Sequence, residues 1–232
     1  MPDLTTAEKL ILVAFDAPRR RLTGGPEIYL GAAGAVIMDL VHDGAVEVRD
    51  GRVVANAGVA ARGELLTDAA DTIAAQPKPR DVKHWVRFLA APRFRLGQKL
   101  LTSLVSSGVL QPVTVRWLGW FERERHVLAN DAARTEVIEG VRTALLTSAI
   151  PDPALLSLIA LLSSCGLIDR TVGREARGPA RERASAIARG DAAGLAVSGV
   201  IAEVQAEVMS AVIVATIAST AVDSGAAGAH GH

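Results

Sequence analysis

The sequence predicts a mainly α protein: a single compact helical domain with a few short β-hairpins. Half of the residues are hydrophobic but only 3% are aromatic, which favours helices packed through small side chains. Three apolar helical stretches also end at a glycine that is followed by extended apolar residues. No stretch reads as an inter-domain linker, so we expect one domain over residues 1–222 and a disordered tail over residues 223–232.

The three helix ends lie at Gly44, Gly108 and Gly166. Glycine suits the left-handed conformation that ends a helix, and the residues after it turn back against the helix. Alternating residues follow the first end from Val46 to Val54, around an Asp-Gly pair that is typical of a hairpin turn. We predict one short hairpin there and a second one from Val113 to Leu128.

The other predicted helices lie between proline breaks and capping residues. They cover residues 65–75, 82–90, 131–148, 154–164 and about 192–222. Asp81 is expected to cap the helix at 82–90, and Asp131 the helix that begins there. The most apolar segment, 208–222, is shorter than the roughly 18 to 20 residues of a membrane span. We therefore predict that it is a buried core helix.

The sequence contains no recognisable catalytic or metal-binding pattern. His42, His84 and His126 are isolated, and Cys165 is the only cysteine, which excludes an internal disulfide. Residues 31–34, Gly-Ala-Ala-Gly, lack the spacing of a nucleotide-binding loop, so close helix packing explains them better. We expect a protein that is not an enzyme, with no metal, no cofactor and no small-molecule substrate.

The net charge and the first residues of the sequence indicate which partners and which cellular location to expect. Lys and Arg together number 25, as do Asp and Glu, so no overall attraction to nucleic acid exists. Helices followed by hairpins are also found in winged-helix DNA-binding proteins, so DNA binding stays a minor alternative. Against it, no helix of the sequence carries the dense row of Arg, Asn and Gln that contacts base edges in such proteins. The chain start lacks a secretory signal, so we expect a cytoplasmic location, with peripheral attachment to the inner membrane face as an extension.

Aromatic residues cluster in the second predicted hairpin. Two interpretations remain open: the rings pack on the helical core, or they form an exposed apolar tip that enters a lipid headgroup layer or a partner. The cluster consists of Arg116, Trp117, Leu118, Trp120 and Phe121.

Local basic clusters are the candidates for an anion site. Arginine binds phosphate groups in bidentate geometry, so two clusters that meet in space would hold a phosphorylated headgroup. Solvated helix faces are the alternative. The clusters are Arg19, Arg20 and Arg21; Arg80, Lys83 and Arg87; Arg93, Arg95 and Lys99; and Arg181 with Arg183.

Short motifs spread over residues 4–222 resemble the Golgi-phosphoprotein-3-like family, in the form of its bacterial-type members. This family consists of peripheral membrane proteins that bind phosphatidylinositol 4-phosphate. The motifs, in order, are LTTAEKL at 4–10, GAAG at 31–34, GELLTDA at 63–69, VKHWV at 82–86 and GVL at 108–110.

The resemblance implies a helical core with short hairpins, one of which is an apolar hairpin used for membrane contact and self-association, here from Val115 to Leu128. It places the relatives' headgroup-binding arginines at Ala33 and near Phe94 and Gly97. Arg93, Arg95 and Lys99 lie beside the last two positions and are expected to take over this role.

Our leading hypothesis is a non-enzymatic, peripheral membrane adaptor that binds a phosphoinositide or another anionic lipid. It would dock through the aromatic hairpin and through headgroup contacts from Arg93, Arg95, Lys99 and the Arg19, Arg20, Arg21 run. The alternative is a homo-oligomeric protein-interaction scaffold without lipid specificity, with the same hairpin as its interface.

Overall fold

A computed structural model describes residues 3–117, 121–147, 151–188, 206 and 208–214. The helices are α1 (Thr6–Ala14), α2 (Pro26–His42), α3 (Gly63–Ala74), α4 (Val82–Ala90), α5 (Leu96–Ser106), α6 (Asp131–Leu146), α7 (Pro153–Ser164) and α8 (Arg177–Ala188), and residues 208–214 are also helical. Short 3-10 turns are η1 (Pro92–Phe94), η2 (Ile168–Arg170) and η3 (Arg174–Ala176). The predicted mainly α fold is confirmed.

Three small antiparallel sheets accompany the helices in the described ranges. They are β1 (Phe15–Asp16) with β2 (Arg21–Leu22), then β3 (Val46–Arg49), β4 (Arg52–Ala55) and β5 (Arg80–Asp81), and finally β6 (Leu110–Trp117) with β7 (Phe121–Leu128). Both predicted hairpins are present. The turn between β3 and β4 places Asp50 at φ 49° and Gly51 at φ 69°, the left-handed pair that a two-residue hairpin turn requires.

The helix α2 is the centre of the core and packs against α1, α4 and α7. Its small residues let neighbours approach closely: a Cβ on Gly34 would lie 2.8 Å from Cγ1 of Val208. Close helix packing therefore explains the Gly-Ala-Ala-Gly motif, as predicted. Val208 and Val212 are fully buried, whereas Ile213 and Val214 are 46% and 39% exposed. The prediction of a buried core helix therefore holds for one face of the described part of the segment 208–222 and is wrong for the other face.

All three predicted glycine ends are confirmed. Gly44, Gly108 and Gly166 have φ of 73°, 72° and 66°. In each case the residue after the glycine donates its N–H to a carbonyl five positions earlier, at 2.8 to 3.0 Å. This is the 6→1 bond that closes a helix end and turns the chain back onto it.

Capping was predicted correctly at one helix and wrongly at another. The carboxylate of Asp81 accepts the N–H of His84 at 2.6 Å and caps α4, as expected. At α6 the cap is Asn130, whose Oδ1 accepts the N–H of Ala132 at 3.0 Å, while Asp131 is the first helical residue. Asn and Asp cap about equally well, so the sequence did not distinguish these two neighbours.

Some predictions lie outside the described residues, including residues 192–205 of the last predicted helix and the tail from 223. In the part of the chain that the structure describes, no helix combines the length and the hydropathy needed to cross a bilayer.

Candidate functional site

The aromatic hairpin, β6 with β7, forms a two-stranded ribbon that is anchored at one end. The pairing runs from Leu110 opposite Leu128 to Trp117 opposite Phe121. Leu110 is buried at the base, where β6 packs against α5. Further out, Thr114 and Glu124 are exposed. This face of the ribbon is therefore open to solvent beyond the base.

The tip carries the predicted contact residues. The backbone pairing of Trp117 with Phe121 persists to the end of both strands. Leu118 and Trp120, and the side chains of Arg116, Trp117 and Phe121, lie outside the described residues. The choice between buried and exposed rings therefore stays a prediction.

The headgroup positions implied by the family resemblance carry no charge and little open surface here. Ala33 is fully buried in α2, and Phe94 is 7% exposed. The third position, Gly97, lies under a tyrosine ring, because a Cβ there would be 2.6 Å from Cε1 of Tyr29. Any phosphate contact in this chain must come from other residues.

The structure separates Arg93 from Arg95, which the sequence had grouped together. Arg95 adopts a left-handed conformation at φ 57° between η1 and α5. The guanidinium carbon of Arg93 lies 4.4 Å from the ring centroid of Phe88 on α4. Arg95 instead lines a groove between α3 and α5, so the two cations serve different surfaces.

The α3–α5 groove is mixed in charge. The ammonium group of Lys99 is paired with the carboxylate of Asp68 and lies 4.0 Å from the ring centroid of Phe94. Glu64 adds a second carboxylate to the groove. The positive charge of Lys99 is thus already balanced, which weakens this groove as a headgroup site.

The Arg19, Arg20 and Arg21 run is exposed; Arg19 and Arg20 lie in the turn between β1 and β2, and Arg21 is the first residue of β2. Arg19 pairs with Asp16 at 3.4 Å, and none of the three lines either the α3–α5 groove or the groove beside α4. The run therefore does not join Arg93 or Arg95 in a single pocket.

Another groove, of about 450 Å³, lies between α4 and η1 and is the most basic concave surface among those described. We call it the α4–η1 groove. It is lined by Asp81, Lys83, His84, Arg87, Phe88 and Arg93. Sequence reasoning placed Lys83 and Arg87 in one cluster and Arg93 in another. The three side chains come together because the chain turns back after α4, and Pro92 was the residue from which that turn could have been predicted.

The remaining basic pair, Arg181 and Arg183, forms contacts within the protein. Arg181 forms a two-point hydrogen bond and ion pair with Asp169, which holds the pKa of that carboxyl below its usual value. The Nε of Arg183 donates to the carbonyl of Ala144 at 3.0 Å. Both arginines therefore stabilise the packing of α8 rather than offering free cations.

Reactive groups do not assemble in the described residues. No three His, Cys, Asp or Glu side chains there suit a metal ion. Cys165 is buried, its thiol donates to the carbonyl of Glu27 at 3.3 Å, and burial raises its pKa to about 12. The thiol is therefore protonated and unreactive at neutral pH.

Comparison with known families gives one match over most of the chain. The family described as Golgi phosphoprotein 3 (GPP34) matches residues 6–204. No curated protein matches the chain.

Proposed function

Because the chain belongs to the Golgi phosphoprotein 3 family, we propose that it is a peripheral, non-enzymatic adaptor that binds anionic phospholipids, phosphoinositides among them. Its place is the cytoplasmic face of a membrane. The observation that carries the proposal is the β6–β7 ribbon, which is anchored to a helical core at its base and ends in the aromatic segment of the chain.

The proposed docking combines apolar insertion with electrostatic attraction. Trp117, Trp120 and Phe121 enter the interface between headgroups and acyl chains, where amphipathic rings are favoured. Arg116 stays among the phosphates beside them. A basic residue near an anionic surface contributes about 1 kcal/mol, so a few suffice for reversible attachment.

The headgroup contacts come from dispersed cations in this proposal. Arg95 and the Arg19, Arg20, Arg21 run are exposed to solvent, although Arg19 also pairs with Asp16. Lys99 contributes less because Asp68 already balances its charge. This arrangement favours attraction to anionic surfaces in general over recognition of one lipid through these residues.

Vesicle co-sedimentation tests the proposal. Neutral phosphatidylcholine vesicles are compared with vesicles that also contain phosphatidylserine or phosphatidylinositol 4-phosphate. We expect both anionic vesicles to retain more protein than neutral ones, and Trp120→Asp to lower retention several-fold. Val59→Asp is the matched control, because Val59 is an exposed aliphatic residue in a different loop. Equal retention by all vesicles, with no effect of Trp120→Asp, would contradict lipid docking.

The open edges of the ribbon favour a second candidate function, a homo-oligomeric scaffold. Among the described residues, the sheet β6–β7 contains two strands, so each strand has an outer edge that can pair with another copy. Light scattering separates this function from lipid docking. A multimer that falls to the monomer mass on joint Trp117→Asp and Trp120→Asp substitution supports the scaffold, and a wild-type monomer rules it out.

A further inference from the structure

We propose that the α4–η1 groove is a binding site for a phosphate group, carried as a phosphomonoester or a pyrophosphate. The site consists of Lys83, Arg87 and Arg93, with His84 beside them. No described residue of the aromatic ribbon lines it, and the inference holds whether or not the ribbon contacts lipid.

The polar side of α4 supplies the first part of the site. Trp85, Val86 and Leu89 are buried and fix the helix on the core. Lys83 and Arg87 are four residues apart, so they project from the same face of the helix. The core packing of α4 thereby directs both cations away from the apolar interior.

The turn after α4 supplies the third cation. Ala91 is extended, Pro92 begins η1, and the N–H of Arg95 closes that turn on the carbonyl of Pro92 at 3.1 Å. Phe94 enters the core while Arg93 returns over the ring of Phe88. A cation over an aromatic face is stabilised there, so Arg93 is held at the groove before any ligand arrives.

His84 extends the same stack. Its ring lies 6.2 Å from the ring of Phe88 and is inclined to it by 26°. Phe88 therefore organises both His84 and Arg93, and both of these side chains carry N–H groups suited to a phosphate oxygen. The groove thus combines charge with fixed hydrogen-bond donors.

The cations of the groove have no carboxylate partner. Among the described residues, Lys83, Arg87 and Arg93 form no ion pair, whereas Arg62, Lys99 and Arg181 elsewhere in the fold all do. Three positive charges that share one groove repel one another, and a bound anion would relieve that repulsion.

Among the described residues that line the groove, one carboxylate is present, and it already accepts a hydrogen bond. Asp81 accepts the backbone N–H of His84 at 2.6 Å and so caps α4. Its charge is held at the helix N-terminus, where it is favoured. The groove keeps an excess of positive charge, and Arg87 and Arg93 offer planar guanidinium groups that match phosphate oxygens in pairs.

Isothermal titration calorimetry of the full chain at low ionic strength tests the site directly. The probes are inorganic phosphate and pyrophosphate, with sodium chloride as the reference salt. We expect both phosphate probes to bind more tightly than chloride, and the more highly charged pyrophosphate to bind most tightly. Arg87→Gln and Arg93→Gln should each weaken pyrophosphate binding about tenfold, since each removes a charge-assisted contact.

Arg174→Gln is the matched control. Arg174 is an exposed arginine on η3 that forms no ion pair with any described residue, and its substitution should leave pyrophosphate binding unchanged. Circular dichroism verifies that all variants are folded. The inference is overturned if the wild type binds phosphate and pyrophosphate no better than chloride, or if the groove variants and Arg174→Gln behave alike.

Vesicles distinguish a lipid headgroup from a free phosphate compound. The same variants are sedimented with vesicles that contain phosphatidylinositol 4-phosphate or unphosphorylated phosphatidylinositol. Loss of the phosphate-dependent retention in Arg87→Gln and Arg93→Gln assigns the groove to a lipid headgroup. Unchanged retention, with pyrophosphate binding lost, assigns it to a soluble phosphate compound. If the wild type binds pyrophosphate but no vesicle, membrane docking fails and the groove stands.

Discussion

The carboxylate of Asp39, within α2, accepts the backbone N–H of Thr6 at 2.9 Å. Its other oxygen accepts the N–H of Ala7 at 3.0 Å. Asp39 is buried; burial raises its pKa, and the hydrogen bonds from Thr6 and Ala7 oppose that rise. A side chain of α2 thus satisfies two of the free N–H groups that begin α1, which fixes the register between the two helices.

We expect Asp39→Asn to lower the free energy of unfolding by about 1 to 3 kcal/mol, because an amide has one acceptor oxygen and would leave a buried N–H unpaired. Urea denaturation at neutral pH measures the change. Asp71→Asn, at an exposed position of α3, should stay within about 0.5 kcal/mol of the wild type. Similar losses in both variants would show that Asp39 has no special role.

Two helical glycines should respond in opposite directions to alanine. Gly34→Ala should destabilise the protein by about 1 to 3 kcal/mol, because its Cβ would meet Val208 at 2.8 Å. At Gly140 on α6, an added Cβ has no neighbour within 4 Å. Gly140→Ala should therefore raise stability by up to about 1 kcal/mol through helix propensity. Thermal unfolding compares them, and equal shifts would refute the close contact at Gly34.

Cys165 should resist thiol reagents in the native state. Its pKa of about 12 keeps the thiol protonated at pH 8, so dithionitrobenzoate should label the denatured chain at once and the native protein only through opening. Rapid labelling of the native protein at pH 8 would contradict the burial of this thiol.

The same raised pKa predicts a loss of stability in alkali. The unfolded thiol ionises near pH 8.5, at about its reference pKa, whereas the folded thiol does not ionise until about pH 12. The contribution of this thiol to folding is complete below the unfolded pKa and is lost as the pH rises towards 12. Stability measured from pH 8 to 10 should fall more steeply in the wild type than in Cys165→Ala.

Arg170 should be sensitive to replacement by lysine. Its guanidinium group donates to the carbonyls of Ala14 and Val13, at 2.9 and 3.4 Å, and to the hydroxyl of Thr23. A lysine cannot reproduce this fork, so Arg170→Lys should cost about 1 to 3 kcal/mol. Arg174→Lys, on an exposed turn, should be neutral in the same urea titration; an equal cost in both would argue against the fork.

Local signals explain how much of the fold could be predicted. Gly44, Gly108 and Gly166 marked three helix ends correctly because the left-handed conformation is a property of the residue itself. The Asp50-Gly51 turn was predictable for the same reason. The two-residue strands β1, β2 and β5 were not predicted, since such short pairs depend on neighbouring elements and leave no periodic pattern.

The candidate site depended on tertiary contacts and was predicted less well. The sequence identified the basic residues individually but grouped Arg93 with Arg95, which are neighbours along the chain. Their separation follows from the left-handed backbone of Arg95, a conformation uncommon for arginine. Asp68 likewise lies 31 positions from Lys99, and no local pattern could show that it neutralises this lysine.

The contact between Gly34 and Val208 also constrains when the protein can finish folding. Synthesis proceeds from the amino terminus, so α2 leaves the ribosome long before the residues that cover its glycine face. Leu161 of α7 covers one part of this face, but the part beneath Val208 and Val212 stays exposed until those residues are released, and it can associate with other chains until then. Translation products that stop before that residue should therefore be substrates for chaperones and proteases.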